Sequence, residues 1–137
     1  MPTNQHRLRF PPTLPGLEHA ASALRELLNA RHVDSSPRYN VELAFEEAVS
    51  NIVRHGSPIG DVEVVIRFDD DEIVMMLEDD GVPFDPRERP DPVMPTSIDD
   101  APVGGLGLVL LRKILTRMVY ERTPQNRNLL TLAIAAR

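Results

Sequence analysis

Residues 37–55 read as a helix and fix which way it must face. Val41, Phe45, Ala48, Val49, Ile52 and Val53 recur at helical spacing and form an apolar arc suited to packing on a sheet. Away from that arc stand Glu47 and Asn51, four residues apart. At about 100° per residue they fall within roughly 40° of each other, and Arg54 and His55 flank the same stripe. A helix of this kind lies on a sheet with one side and presents a carboxylate and a carboxamide with the other. A magnesium–nucleotide site could use that stripe, because a carboxamide oxygen can bind Mg²⁺ and a carboxylate can take a proton from an attacking hydroxyl. Taken alone, such a pair is more often a merely solvated helix face.

Around this helix the pattern alternates between the two regular periods. Residues 6–10 alternate polar and apolar as a short edge strand, and Pro11, Pro12 and Pro15 then break the chain. Leu17, Ala20, Ala21, Leu24, Leu27 and Leu28 predict a first helix from Leu17 to about Arg31. Ser35-Ser36-Pro37 predicts a cap with proline in the first turn of the second helix, which Gly56 and Pro58 end. Residues 62–68 and 72–79 are rich in β-branched and apolar side chains and predict a hairpin joined through Asp69 to Glu72. That acidic run reads as a solvated turn rather than a metal site. A third helix is expected from Gly104 to about Arg117, followed by strands near 118–123 and 128–135. The order β-α-α-β-β-loop-α-β-β implies an α+β fold: a mostly antiparallel sheet covered by about three helices, in two layers.

The bulk numbers narrow the function. The length of 137 residues suits a single domain with one core. A net charge of −6 argues against a nucleic-acid surface, which needs concentrated basic residues. With no cysteine in the chain, disulfides, thiolate-bound zinc and thiol catalysis are excluded. The first residues lack the apolar core of a signal peptide, and no run approaches the roughly 20 apolar residues of a membrane span, so a cytoplasmic protein is expected.

Two further segments could join the Glu47–Asn51 stripe. In Asp79-Asp80-Gly81-Val82-Pro83-Phe84-Asp85-Pro86 a strand ends in a carboxylate able to accept from an exocyclic amine such as adenine N6. Gly81 lets the backbone approach a ligand closely. Gly104-Gly105-Leu106-Gly107 opens a helix with exposed N–H groups and the positive end of the helix dipole, an anion-binding arrangement. Each also reads as an ordinary turn. Between them, residues 82–103 hold six of the 13 prolines and little apolar periodicity. A loop of that length in so small a domain is more often a functional lid than a passive connector.

In order and spacing the three segments resemble the N, G1 and G2 boxes of the GHKL (Bergerat) ATPase superfamily, which includes gyrase, mismatch-repair ATPases and histidine kinases. Within it, Glu-Ala-Val-Ser-Asn-Ile-Val-Arg-His-Gly, Glu-Asp-Asp-Gly-Val-Pro-Phe-Asp-Pro and Gly-Gly-Leu-Gly-Leu-Val-Leu-Leu-Arg-Lys resemble the bacterial anti-sigma-factor serine kinases. The resemblance covers essentially the whole chain and implies one ATP-binding kinase-like domain over residues 1–137. It implies Glu47 as general base and Asn51 as the Mg²⁺ ligand. Asp79 would accept from adenine N6, with Gly81 beside it, and Gly104, Gly105, Leu106 and Gly107 would bind the phosphates. Thr131 would support the adenine pocket, His55 and Arg54 would reach phosphate or lid, and residues 86–103 would form the ATP lid.

The implied activity is an ATP-dependent serine kinase that binds a sigma factor and phosphorylates a STAS-type anti-anti-sigma protein, working as a homodimer with ATP/ADP and Mg²⁺. One departure stands out. Many relatives carry an arginine about three residues before the Gly-Gly-Leu-Gly, where this chain has Ala101 in an acidic neighbourhood; Arg87 and Arg89 are spaced differently. A nucleotide-gated regulator-binding module without kinase activity is therefore the alternative. A detached histidine-kinase ATPase domain fits less well, because no helix pair bearing a phospho-accepting histidine is present.

Overall fold

A computed structural model describes residues 4–85 and 111–137. The described elements are β1 (Gln5–Phe10), α1 (Leu14–Ala30), α2 (Ser35–Asn51), a π-helical turn (Ile52–Gly56), β2 (Val62–Phe68), β3 (Glu72–Asp79), β4 (Leu115–Arg122) and β5 (Asn128–Ala135). The strands form one sheet in the order β1-β2-β3-β5-β4, with every neighbouring pair antiparallel. This is the expected two-layer α+β fold, with β1 at an edge.

Side-chain alternation assigns the faces. Val62, Val64 and Ile66 of β2, Ile73, Met75 and Leu77 of β3, and Leu130, Leu132 and Ile134 of β5 share one core with α1 and α2. Onto it α2 lays Val41, Ala44, Phe45, Ala48 and Val49, as its apolar arc requires. Each large side chain fully buried here contributes about 1.5–3 kcal/mol of transfer free energy. Among the described residues no helix is long and apolar enough to cross a membrane.

Three boundaries differ from the sequence expectation. α1 begins at Leu14 rather than Leu17, because Thr13 caps it: the Thr13 hydroxyl accepts from the Gly16 N–H at 3.1 Å, and Pro15 sits in the first turn instead of breaking the chain. The N-cap of α2 is Asp34, with Ser35 and Ser36 already helical. Residues 111–114 are helical, but β4 starts at Leu115, earlier than the expected strand near 118 and inside the span expected for the third helix. Its pairing with β5 carries an irregularity between Leu115 and Arg117, so the extra residue is absorbed as a bulge.

Candidate nucleotide site

The end of β3 and the end of α2 meet at one cavity. From α2 and its π-turn come Ala48, Asn51, Ile52 and Gly56; from β3 and the following loop, Asp79 and Phe84. Leu111, Tyr120, Asn128 and Leu130 complete the lining. Apolar walls with a few convergent polar groups are the usual make-up of a small-molecule site. Asn51 faces the cavity, and its carboxamide makes no hydrogen bond to another described residue.

Among the described residues the buried polar side chains are Asp79, 2 % exposed, and Asn128, 4 % exposed. Strand register explains their meeting: Asp79 of β3 stands opposite Asn128 of β5, and Asn128 opposite Arg122 of β4. Asp79 Oδ1 accepts from the Gly81 N–H at 2.8 Å and from Asn128 Nδ2 at 3.1 Å. Asp79 Oδ2 has no partner among the described residues. It is not one of the sealed, unbonded side-chain atoms, which among the described residues come down to Arg38 Nε, so it opens on the cavity, where a ligand donor can reach it.

Backbone contacts hold this corner. The Val82 N–H donates to the Gly56 carbonyl at 2.8 Å, tying the loop after β3 to the π-turn. A Cβ on Gly81 would lie 2.2 Å from the Gly56 oxygen and 2.9 Å from Asp79 Oδ1. The close approach that needs glycine is thus already made within the protein, to Gly56. Asp80 points the other way: its carboxylate accepts from the Ile59 N–H at 2.8 Å and the Gly60 N–H at 3.0 Å, and these bonds hold its pKa below the ordinary aspartate value.

The remaining expected residues divide. Glu47 is half-buried one helical turn before Asn51, and burial, with Glu46 adding to it and Arg54 opposing, pushes its carboxyl above the ordinary glutamate value. His55 does not line the cavity; its ring stacks on Phe84 with centroids 5.6 Å apart and planes 15° from parallel, and Phe84 does line it. Arg54 is exposed. Thr131 needs correcting. It pairs with Met76 and Val119, one step out of phase with Leu130 and Leu132, so it stands on the sheet face away from the helices and the cavity. Asn128 and Tyr120 are the strand residues at the cavity instead. Gly104, Gly105, Leu106, Gly107, Ala101, Arg87, Arg89 and the lid at residues 86–103 lie outside the described residues.

Sequence reasoning placed Asn128 at the head of the last strand but gave it no role in the site. The available signal was its parity, since it shares the inward phase of Leu130, Leu132 and Ile134. No signal in one sequence marks Tyr120 or Arg122, whose roles depend on which strand β4 pairs with.

The histidine kinase-like ATPase domain model matches residues 10–134. The chain belongs to that family. It is 34% identical over 110 residues to the serine/threonine-protein kinase BtrW of Bordetella bronchiseptica, an alignment covering 77% of this chain and 72% of that protein. To the serine-protein kinase RsbW of Bacillus cereus it is 30% identical over 82 residues, 56% of this chain and 51% of that protein, so it spans about half the length of that relative. The fold matches the RsbU and RsbW domains of Rv1364c from Mycobacterium tuberculosis, with TM-score 0.68 and 18% identity over 97% of this chain and 32% of that one. It also matches the SiaB–SiaC complex of Pseudomonas aeruginosa, with TM-score 0.58 and 17% identity over 95% of this chain and 89% of that one. Within the histidine kinase-like ATPase family, then, this chain is grouped by sequence with serine/threonine-protein kinases.

Proposed function

We propose that the chain is an ATP-dependent protein-serine kinase and anti-sigma regulator, acting in the cytoplasm as one ATP-binding domain. On this reading it binds a sigma factor, phosphorylates a STAS-type anti-anti-sigma protein on serine, and works as a homodimer. The observation that carries the reading is Asp79: a buried carboxylate with one oxygen free, in an apolar cavity that also receives Asn51 from the helix bearing Glu47.

The proposed chemistry follows from position. Asp79 Oδ2 accepts the exocyclic amine of adenine while the apolar walls flank the ring. Asn51, whose carboxamide makes no hydrogen bond to another described residue, is the residue that would hold Mg²⁺; among the described residues no cluster of three or more His, Asp or Glu could hold a metal alone. The ion's remaining ligands would then be phosphate oxygens and water, and its contribution is charge neutralisation at the phosphates. Glu47, on the same helix, takes the proton from the serine hydroxyl. Phosphoryl transfer depends mainly on positioning and electrostatics, so this short set of groups is sufficient in kind.

Transfer of label from ATP to a cognate partner tests the reading. Glu47→Gln should reduce transfer by about 100-fold or more, the scale of a general base, while leaving ATP affinity within about threefold. Persisting transfer would remove Glu47 from the role. Ala101, where relatives carry a lid arginine, favours a second reading, a nucleotide-gated binding module. That module would bind ATP and its partner and leave no phosphoserine.

A further inference from the structure

The nucleotide reading uses Asp79 but leaves open why a second polar side chain is buried beside it. The bonds around Asn128 fix its amide without ambiguity. Its Oδ1 receives the Tyr120 hydroxyl at 2.5 Å and Arg122 Nη1 at 3.1 Å. A guanidinium only donates, so the atom facing it must be the oxygen. Nδ2 therefore faces inward, donating to Asp79 Oδ1 at 3.1 Å and to the Val82 carbonyl at 2.8 Å, with the Gly81 carbonyl at 3.4 Å. The Gly81 carbonyl also accepts from Arg122 Nη1 at 2.9 Å.

We propose that Asn128, held by Tyr120 and Arg122, is a positioning residue that sets the base preference of the cavity. By donating to Asp79 Oδ1 and engaging the Gly81 and Val82 carbonyls, it leaves Asp79 Oδ2 as the acceptor presented to a ligand. The site then takes a nucleotide whose base offers an exocyclic amine there and rejects one with a carbonyl oxygen at the same place, which would set two acceptors against each other. The inference rests on the nucleotide reading and goes beyond it: it assigns selectivity to a residue that need not touch the nucleotide. A merely structural Asn128, filling the floor of the cavity, would affect all bases alike.

ATP and ITP make the discriminating pair, since they differ only along the C6–N1 edge of the base: an amine beside a bare N1 in one, a carbonyl beside an N1–H in the other. Each is titrated calorimetrically with Mg²⁺ into wild type, Asn128→Leu and Asn128→Asp. The first variant removes the amide; the second keeps its shape, but its carboxylate cannot donate to Asp79 when ionised. Wild type should prefer ATP by about 100-fold or more, as expected when a buried acceptor is left unpaired or opposed. In both variants the preference should fall to about threefold or less, because nothing then holds Asp79 with Oδ2 towards the ligand: leucine offers no donor, and a second carboxylate repels the first. A preference that stays at the wild-type ratio in a folded variant overturns the inference and leaves the nucleotide reading standing. Should Asn128→Leu not fold, the isosteric Asn128→Asp decides alone. Failure of wild type to bind either nucleotide overturns the nucleotide reading itself.

Discussion

A carboxyl group that is hard to ionise is a cost to a fold, and for Glu47 it would also be an asset in the role of base proposed above. Burial raises its pKa, with Glu46 adding and Arg54 opposing. A raised carboxyl pKa means that the folded state holds the proton more tightly than the unfolded chain does. The stability this represents is present below the unfolded glutamate pKa and is lost as pH rises through the folded value. Glu47→Gln should therefore raise the melting temperature at pH 7 relative to wild type, with the gain vanishing below the ordinary glutamate range; thermal melts at pH 7 and pH 3.5 check this. Asp80 has the opposite sign, being lowered chiefly by the Ile59 and Gly60 N–H groups. Its contribution is present above the ordinary aspartate pKa and is lost as pH falls through its own. Asp80→Ala should speed amide exchange at Ile59 and Gly60 at neutral pH. At this scale the sequence marks residues whose chemistry is carried by type and spacing: Asp79 ends a legible strand, and Asn51 sits on a legible helix. Thr131 misleads because a hydroxyl in a strand carries no label for its face until the register is known.

Among the elements, the strands at residues 62–68, 72–79 and 128–135 were legible to the residue, since β-branched runs between turn residues have few other readings. The end of α2 was not. An α-helical pattern to His55 and a π-turn from Ile52 have nearly the same composition, and the choice is made by what the turn packs against. Here that is the loop after β3: the Gly56 carbonyl at the end of the turn receives the Val82 N–H and leaves no room for a Cβ on Gly81. Gly81→Ala forces one of two bonded backbone segments to move. It should cost about 1–3 kcal/mol, the usual range for overpacking, seen as a lower urea midpoint. A variant folding as stably as wild type would mean that the two loops part easily.

For the whole molecule, occupancy and stability are linked. A ligand that binds only the folded state stabilises it by about 2.7 kcal/mol at 100 times its Kd. ATP with Mg²⁺ should therefore raise the wild-type melting temperature in a concentration-dependent way, and Asp79→Asn, which loses the charged acceptor, should show little rise. Equal shifts in both would place the nucleotide elsewhere.

The strand order also constrains the segment between β3 and β4. Both strands lie beside β5 and run antiparallel to it, so they run parallel to each other. β3 ends at Asp79, opposite Asn128, whereas β4 begins at Leu115, opposite Ile134. A chain leaving one and entering the other must travel back from the level of Asn128 to that of Ile134, a distance of about 20 Å at the usual rise per residue. The stretch expected to answer the nucleotide is therefore also a return cable of fixed minimum span. Trimming it to a hairpin-sized turn would not yield a smaller enzyme with an open site; it would leave the last two strands with no route into the sheet.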